Sequence, residues 1–251
     1  MVDIALKKTA VVTGGSMGIG NAITQLYLKE GYQVISVSRN EFNKLSDSHH
    51  HICCDLSKWD DALQLGIKIA SVVDGVDVLI NNVGRSEWKS IEEITPGFFN
   101  ELFSLNVGSY FSVIQTLLPF FKNNSVITNI SSMAGKRGSA NNSIYSATKF
   151  AINGMTQSLA KELGPRGIRV NALCPVLVRS IGLEDALIKM GAPAHDCGVE
   201  EFLNNFALHQ AALGRLPTAL EVANFAFFLS SDRATSITGQ CINVDCGVFP
   251  Q

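Results

Sequence analysis

Residues 9–20 read TAVVTGGSMGIG, a mostly apolar run that passes directly into a cluster of glycines. The run Thr9–Thr13 is rich in β-branched residues, which is typical of a strand covered on both faces. Gly14, Gly18 and Gly20 allow the backbone to turn sharply and to approach a phosphate, and a helical pattern follows them. Free N–H groups at a helix N-terminus bind pyrophosphate. This order of strand, glycine loop and helix predicts a dinucleotide-binding fold.

Short apolar runs and longer helical segments alternate along the rest of the chain. The predicted strands are Thr9–Thr13, Gln33–Ser38, Ile52–Cys54, Val76–Asn81, Ser125–Ile130, Arg169–Leu173 and Cys241–Val244. The predicted helices are Ile19–Glu30, Trp59–Val73, Pro96–Phe121, Ser143–Leu163 and Leu220–Leu229. The alternation predicts an α/β class. We expect residues 1–251 to form a single-domain Rossmann fold, a doubly wound seven-stranded parallel sheet with helices on both faces.

One segment near the C-terminus breaks this alternation. Residues 180–214 contain two helical stretches, Leu183–Met190 and Val199–Leu213, which are separated by Gly191-Ala192-Pro193. An insertion of this size at the end of a parallel sheet is typical of a mobile lid over a ligand crevice. A pair of surface helices that serve only packing is the alternative. We expect a substrate lid in this segment.

The composition argues against several classes of protein. Of the 251 residues, 46% are hydrophobic and 17% are charged, which favours a packed core over disorder. The formal net charge of −2 provides no basic surface for nucleic acid. No stretch is apolar for long enough to span a membrane, and residues 1–8 lack the pattern of a signal peptide. We expect a cytoplasmic protein that binds neither nucleic acid nor membrane.

Six cysteines and a run of histidines raise the question of disulfides or a metal. No CxxC pair is present, so the cysteines are expected to be thiols in a reducing compartment. The cluster His49–Cys54, HHHICC, contains metal-ligand side chains, but no second ligand pair follows at a zinc-finger spacing. In a strand, His51 and Cys53 would share one face. We interpret the cluster as a loop that enters a buried strand, and we expect no metal.

The end of the second predicted strand distinguishes between the two nicotinamide dinucleotides. An acidic side chain there would bind both ribose hydroxyls of NAD and repel a 2′-phosphate. The sequence at this place is Val37-Ser38-Arg39-Asn40, without an acid. Arg39 can make two parallel hydrogen bonds to a phosphate, and Ser38 can add another. We therefore expect NADP(H), with Asp55 after the third strand accepting a hydrogen bond from the adenine amino group.

The segment Ser143–Lys149, SIYSATK, opens a long predicted helix. Tyr145 and Lys149 are four residues apart and lie on one helical face. The pKa of a free tyrosine is ~10, and a nearby ammonium that stabilises the phenolate lowers it. Ser132, after the fifth predicted strand, can orient and polarise a substrate carbonyl. Asn106 lies inside a predicted helix, where a buried amide is costly unless it finds a partner. These four residues are the candidate catalytic group.

Together, these motifs resemble those of the short-chain dehydrogenase/reductase family in its compact form of about 250 residues. The resemblance extends over nearly the whole chain. It rests on the glycine loop at 13–20, Asn81–Gly84, Asn106, Ser132, Tyr145 with Lys149, Arg169–Asn171, Gly239–Gln240 and Val244–Gly247. It implies an oxidoreductase that interconverts a carbonyl and an alcohol with NADP(H).

The resemblance implies a role for each catalytic candidate. Tyr145 would be the general acid in reduction and the base in oxidation, while Ser132 would bind the carbonyl oxygen. Lys149 would tune Tyr145 and hold the nicotinamide ribose, and Asn106 would position a water that relays protons to Lys149. The implied cofactor-binding residues are Gly14, Ser16, Met17, Gly18, Ile19, Gly20, Ser38, Arg39, Asp55, Leu56, Asn82, Val83, Gly84, Tyr145, Lys149, Pro175, Val178 and Ser180.

Two departures from the family pattern lie in the C-terminal part of the chain. Val176 follows Pro175 where glycine is usual, and Cys246 also replaces a usual glycine. Val178 is still expected to meet the nicotinamide amide through its backbone. Ser180 stands where a phosphate-facing threonine is common.

Three arginines give the main indication of the substrate. Arg85, Arg137 and Arg179 each follow a predicted strand on the cofactor side. We expect one or more of them to meet an anionic substrate group, the alternative being solvated loop charge. A 3-oxoacyl-type compound and a sugar or polyol carbonyl are the main substrate classes. A redox-sensing regulator that binds NADP(H) without turnover is the alternative function. The resemblance also implies a homotetramer or homodimer.

Overall fold

A sheet of seven parallel strands lies at the centre of residues 7–250, the part of the chain that the computed structural model describes. The strands are β1 (Thr9–Thr13), β2 (Gln33–Ser38), β3 (His49–Cys53), β4 (Val76–Asn81), β5 (Phe121–Ile130), β6 (Arg169–Pro175) and β7 (Cys241–Val244). Their order is β3-β2-β1-β4-β5-β6-β7. The predicted Rossmann-like parallel sheet is therefore confirmed. The expectation about a signal peptide falls mostly on residues 1–6, which lie outside the described residues, as does residue 251.

Helices cover both faces of this sheet. They are α1 (Gly18–Lys29), α2 (Trp59–Ala70), α3 (Pro96–Phe103), α4 (Ser109–Leu117), α5 (Ser143–Leu163), α6 (Ile181–Leu187), α7 (Val199–Gln210) and α8 (Ala219–Leu229). Ala10 and Val12 of β1 pack with α1 and α8, whereas Val11 packs with α2, α4 and α5. Since successive side chains point to opposite faces, burial of both faces makes the strand apolar throughout. Among the described residues, no helix has the length and apolarity needed to cross a bilayer.

The chain changes its direction of travel across the sheet after β3. β1 pairs with β2 on one side and with β4 on the other. In open parallel sheets, ligands bind beyond the carboxyl ends of the strands at such a switch point. The segments that follow Thr13, Ser38 and Asn81 therefore lie along one edge of the sheet, where the sequence motifs are concentrated.

The predicted helix Pro96–Phe121 is not one α-helix. α3 ends at Phe103, Ser104–Gly108 form a π-helical turn, and α4 follows. A π turn contains one extra residue. Ser109, the first residue after this turn, donates its hydroxyl proton to the carbonyl of Leu105 at 2.5 Å. Hydrogen bonds of this type often bend helices. The prediction was wrong here because apolar periodicity does not reveal a single inserted residue.

The C-terminal end of the same predicted helix is also wrong. α4 ends at Leu117, because Pro119 has no N–H with which to continue the helix, and a short 3-10 turn follows. Phe121 then begins β5, where it pairs with Val76, and the ladder contains a register shift beyond this pair. Phe121 is thus the first residue of a strand and not part of the last turn of a helix.

Two further elements differ from their predicted bounds. β3 begins at His49 instead of Ile52, because the imidazoles of this segment find hydrogen-bond partners on β2. In the expected lid segment, α6 ends at Leu187, and turns connect it to α7. Both lid helices pack with Trp88, from the loop after β4, in a small apolar cluster separate from the core beside the sheet.

Candidate active site

The loop between β1 and α1 has no room for side chains at two of its glycines. A Cβ on Gly20 would lie 2.1 Å from the carbonyl oxygen of Gly14 and 2.5 Å from Nδ2 of Asn82. A Cβ on Gly14, whose φ is +64°, would lie 2.8 Å from the same Nδ2. The loop and the first turn of α1 also contain Ser16, Met17, Gly18 and Ile19. This packing leaves bare backbone at the N-terminus of α1, which fits a pyrophosphate.

We expect Gly20→Ala to destabilise the fold by about 1–3 kcal/mol and to abolish or strongly weaken dinucleotide binding. The added methyl would collide with backbone, which cannot move aside as a flexible side chain can. Gly154→Ala is the matched control, because a Cβ there meets no atom within 4 Å. In the middle of α5 this control should be neutral or stabilise by about 0.5–1 kcal/mol. Denaturant unfolding and cofactor titration measure both effects, and equal behaviour of the two variants would contradict the close packing.

The ends of β1 and β4 are tied together by Asn82 and Thr13. Nδ2 of Asn82 donates to the carbonyl oxygens of Thr13 and Gly14 at 3.1 and 3.2 Å. The Thr13 hydroxyl oxygen accepts from the backbone N–H groups of Asn82 and Val83 at 2.9 and 3.3 Å. Asn82 and Val83 therefore hold the glycine loop from behind. Beyond them, a Cβ on Gly84 would lie 3.3 Å from Oδ1 of Asn106 and 3.7 Å from Nζ of Lys149, so the backbone passes close to both side chains here.

A cavity of about 400 Å³ lies at the carboxyl ends of β2 and β3, where the adenosine end of a dinucleotide is expected. Arg39 and Asp55 both line it. The Ser57 hydroxyl donates to Oδ1 of Asp55 at 2.7 Å. This bond, supported by the charge of Arg39, lowers the pKa of Asp55 and keeps it an ionised acceptor. Leu56, the next residue, is buried.

Sequence reasoning missed Lys68, a second cation that lines the same cavity. It lies on α2, four residues after Gln64, which also lines the cavity. This i, i+4 spacing places both side chains on one face of the helix. The signal was therefore present in the sequence, but it required knowing that α2 packs beside β3.

The phenol of Tyr145, the hydroxyl of Ser132 and the ammonium of Lys149 meet at the carboxyl end of β5. Ser132 and Tyr145 share a side-chain hydrogen bond. Nζ of Lys149 lies 5.7 Å from the centre of the Tyr145 ring, and Lys149 is only 4% exposed. Ser132 also caps the turn that follows it, because its oxygen accepts from the N–H of Ala134 at 3.1 Å. The structure thus brings together three of the four predicted catalytic side chains.

The electrostatics of this group differ from the expectation in one respect. Burial raises the pKa of Tyr145, and its hydrogen bond with Ser132 opposes this only in part. The expected lowering of the Tyr145 pKa by Lys149 is not present in this arrangement. Burial also lowers the pKa of Lys149 to about 8, because removing the ammonium from water disfavours its charged form. At neutral pH the site therefore holds a protonated phenol beside a charged ammonium, which suits an acid catalyst.

Tyr110 is a further residue of this site that the sequence reasoning missed. Its ring is fully buried, and its hydroxyl donates to the carbonyl of Ile130 at 2.9 Å. Nζ of Lys149 donates to the same carbonyl at 2.9 Å and lies 5.7 Å from the centre of the Tyr110 ring. Tyr110 thereby supports the buried ammonium through its π face. Its contact with the end of β5 depends on how α4 packs against the sheet, so no local pattern in the sequence indicated it.

The side chain of Asn106, in the π turn, is fully engaged by its neighbours. Its Oδ1 accepts from the N–H of Arg85 and its Nδ2 donates to the carbonyl of Arg85, both at 2.9 Å. Nδ2 also donates to Oγ1 of Thr148 at 3.2 Å. These bonds explain why an amide is tolerated in a buried helix. Asn106 fixes the loop after β4 to helix α5, which carries Tyr145 and Lys149, and its role in a water relay stays a prediction.

The segment after β6 passes close to the glycine loop. Pro175 ends β6 beside β7, and Val178 is buried. The oxygen of Ser180 accepts from the N–H of Leu183 at 3.2 Å, so Ser180 caps α6. A Cβ on Gly18 would lie 3.4 Å from Cβ of Ser180. The structure therefore places Ser180 beside the glycine loop, and its contact with the pyrophosphate stays a prediction.

Two of the three arginines expected to meet an anionic substrate already have carboxylate partners. Arg85 pairs with Glu101 at 2.9 Å, and it also lies 3.4 Å from Glu87. Arg179 pairs with Glu184 of α6 at 2.7 Å and with Glu200 of α7. These contacts neutralise both guanidinium groups.

Arg137 has a different environment from these two. Its guanidinium lies over the ring of Phe249, 5.7 Å from the ring centre. Such a contact stabilises the cation without neutralising its charge. Of the three arginines, Arg137 is thus the one without a carboxylate partner among these contacts, and it remains the candidate for binding an anionic substrate group.

The sequence and the fold both match proteins of known type. Residues 8–187 match a family model described as short chain dehydrogenase. A 3-oxoacyl-(acyl-carrier-protein) reductase of Chlamydia muridarum is 30% identical over 260 residues, which cover 99% of this chain and all of the relative. An (S)-acetoin-forming diacetyl reductase of Staphylococcus aureus is 33% identical over 256 residues, which cover 96% of this chain and 97% of the relative. The crystal structure of a 3-ketoacyl-(acyl-carrier-protein) reductase from Brucella melitensis complexed with NADH superposes with a TM-score of 0.84 at 28% identity, covering 97% of this chain and 99% of the other.

Proposed function

This chain belongs to the short-chain dehydrogenase family, and from that premise we propose that it is an NADP(H)-dependent oxidoreductase acting on a small carbonyl compound or the corresponding alcohol. The observation that carries the proposal is the group formed by Ser132, Tyr145 and Lys149 beside the glycine loop. A hydrogen-bonded phenol and hydroxyl next to a buried ammonium have little structural value of their own, since burying them costs free energy. They suit proton transfer to a carbonyl oxygen.

In the reduction direction, the residues of this chain hold the carbonyl oxygen and supply its proton. Ser132 donates a hydrogen bond to that oxygen, and the protonated phenol of Tyr145 transfers its proton there as negative charge develops. The ammonium of Lys149 stabilises the phenolate that remains. The nicotinamide, when bound, supplies or accepts the hydride. In the oxidation direction Tyr145 acts as the base, and its raised pKa makes this direction depend on a higher pH.

The proposed preference for NADP(H) rests on charge at the adenosine end. Arg39 and Lys68 line the cavity there together with the carboxylates Asp55 and Asp61, and the end of β2 carries Ser38 without an acidic residue. Arg39, directly after Ser38, can bind a 2′-phosphate through two hydrogen bonds, whereas an acid at this position would repel it. The related reductase from Brucella melitensis was solved with NADH, so relatives of this fold also accept the cofactor without that phosphate.

The experiment that tests the proposed function is a turnover assay with a panel of carbonyl compounds. Small diketones, 3-oxoacyl thioesters and aldoses are each offered with NADPH and with NADH, and loss of the reduced nicotinamide absorbance is followed. Neutral pH keeps the ammonium of Lys149 charged, because its pKa is about 8. We expect turnover of at least one class, faster with NADPH at low cofactor concentration. Tight binding of NADPH with no turnover of any class would favour the redox-sensing regulator instead.

The proposal extends to the lid, the assembly and the location. Helices α6 and α7, linked by the ion pairs of Arg179, would close over the substrate. Exposed phenylalanines on the two central helices, Phe111 on α4 and Phe150 on α5, support a homodimer or homotetramer, which the mass in solution tests. All six cysteines are free thiols, which supports a reducing compartment such as the cytoplasm.

A further inference from the structure

A chain of hydrogen bonds connects the two outermost strands at the adenosine end of the sheet. The imidazoles of His49 and His51 lie on the same face of β3. Both contact the hydroxyl oxygen of Ser36 on β2, which lies 2.8 Å from Nε2 of His49 and 2.8 Å from Nδ1 of His51. Ser36 and His49 are 0% and 1% exposed. Such polar groups are retained in a core only where each atom has a partner.

The two ends of this chain determine the direction of the bonds at His49 and of the bond between His51 and Asn40. The backbone N–H of Leu45 can only donate, and it does so to Nδ1 of His49 at 3.0 Å. Nε2 of His49 therefore carries the proton and donates to Ser36. At the other end, the carbonyl oxygen of Asn40 can only accept, and it accepts from Nε2 of His51 at 2.9 Å. When His51 is neutral, its Nδ1 accepts the hydroxyl proton of Ser36.

It follows that the ring of His49 is neutral and that all four ring nitrogens are occupied. Burial lowers the pKa of His49, with the neighbouring His51 adding to the effect, which agrees with this assignment. The two histidines are thus braces between β3 and the loop after β2, and they have no nitrogen left for a metal. Phe42, from the same loop, packs edge-on against both rings at 5.7 and 5.8 Å.

The chain of bonds ends at the residues expected to hold the 2′-phosphate. The Ser38 hydroxyl donates to the same Asn40 carbonyl at 3.0 Å, and its oxygen lies 3.4 Å from Nε2 of His51. A phosphate can only accept hydrogen bonds, so Ser38 binds it by turning its proton away from Asn40. Because His51 also donates to that carbonyl, the oxygen of Asn40 keeps a partner when Ser38 turns. Arg39 lies between the two residues that this arrangement holds.

We propose that His51 is a positioning residue for the cofactor: by holding the carbonyl of Asn40, it leaves Ser38 free to bind the adenosine 2′-phosphate and keeps Arg39 in place beside it. His51 thereby contributes to the discrimination between NADPH and NADH. This inference rests on the proposed use of NADP(H). It gives His51 a function that the proposed catalytic group does not provide.

The test is the dissociation constant of each reduced cofactor, measured by the fluorescence of the bound nicotinamide. His51→Phe keeps a ring against Phe42 but removes both nitrogens. We expect it to weaken NADPH binding about threefold to tenfold and NADH binding by less than about twofold. His51→Gln, which retains an N–H donor, is expected to restore most of the NADPH affinity. His50→Gln, a change at the next residue on the opposite face of β3, is the control and should leave both constants unchanged.

A second variant makes the test independent of the folding of the first. Ser36→Ala removes the hydroxyl in the middle of the chain of bonds and is expected to weaken NADPH selectively, by about twofold to threefold. Equal losses for NADPH and NADH in both variants would mean a purely structural role and would overturn the inference. If the wild type prefers NADPH and loses this preference in Arg39→Ala but keeps it in His51→Phe and in Ser36→Ala, only the role of His51 fails. If the wild type does not prefer NADPH, the proposed cofactor fails and this inference fails with it.

Discussion

Replacement of Tyr145 by phenylalanine is expected to lower kcat for carbonyl reduction by about 10²–10⁴ while leaving cofactor binding almost unchanged. The phenol is protonated at neutral pH, since burial raises its pKa, and it is hydrogen-bonded to the Ser132 hydroxyl that would hold the carbonyl oxygen. The phenyl ring fills the same volume, so the fold and the position of Lys149 should be preserved. Steady-state kinetics and a cofactor titration measure the two quantities separately.

The matched control for this variant is Tyr110→Phe. Tyr110 lies on the other side of the Lys149 ammonium, and its hydroxyl binds a backbone carbonyl. Its loss removes a hydrogen bond but no acid catalyst, so kcat should fall by much less than in Tyr145→Phe. Near-normal turnover of Tyr145→Phe, or equal losses in the two variants, would refute the assignment of Tyr145 as the proton donor.

Arg39→Ala is expected to weaken NADPH binding by about 10- to 100-fold and NADH binding only slightly. A guanidinium bonded to a phosphate contributes about 1.5–3 kcal/mol, and NADH offers it no such group. The dissociation constants of the two cofactors, measured at the same ionic strength, give the comparison, because this contact is screened by salt. Lys68, which lines the same cavity, would retain part of the affinity.

Arg233→Ala serves as the control for Arg39→Ala, since Arg233 is an exposed arginine on the turn after α8, outside the cavity. It changes the net charge of the chain by the same amount and should leave both cofactors unaffected. If Arg39→Ala weakens the binding of NADPH and of NADH equally, the proposed 2′-phosphate contact is wrong, and NADH becomes the expected cofactor.

The parts of the molecule that sequence reasoning predicted correctly are those governed by local pattern. The strands around Val11 and Ile35 are continuously apolar because both of their faces are covered, and this pattern predicts a parallel sheet without knowledge of the partners. The glycine loop is equally local, since the contact that excludes a side chain at Gly20 is made within the loop itself. Tyr145 and Lys149 are one helical turn apart, so their meeting required only that the segment be a helix.

The features that the sequence did not predict depend on contacts between distant segments. The partners of Arg85 and Arg179 lie on helices whose placement follows from the whole fold, so their neutralisation was not visible in the sequence. The pairing of His49 and His51 depends on Ser36 from another strand. The raised pKa of Tyr145 likewise reflects burial by many residues, whereas the sequence displayed only its neighbour Lys149.

The π turn at Ser104–Gly108 changes which residues face inward along the long helical segment after β4. Each residue of an α-helix turns the chain by about 100°, so one extra residue puts α3 and α4 out of phase by that angle. α3 contacts α5, whereas α4 packs mainly on α2 and reaches α5 through Tyr110. The π turn thus lets the continuous helical segment formed by α3 and α4 direct its apolar residues toward two different neighbouring helices. A heptad or helical-wheel projection drawn through the whole segment would assign inward and outward positions wrongly on one side of Asn106.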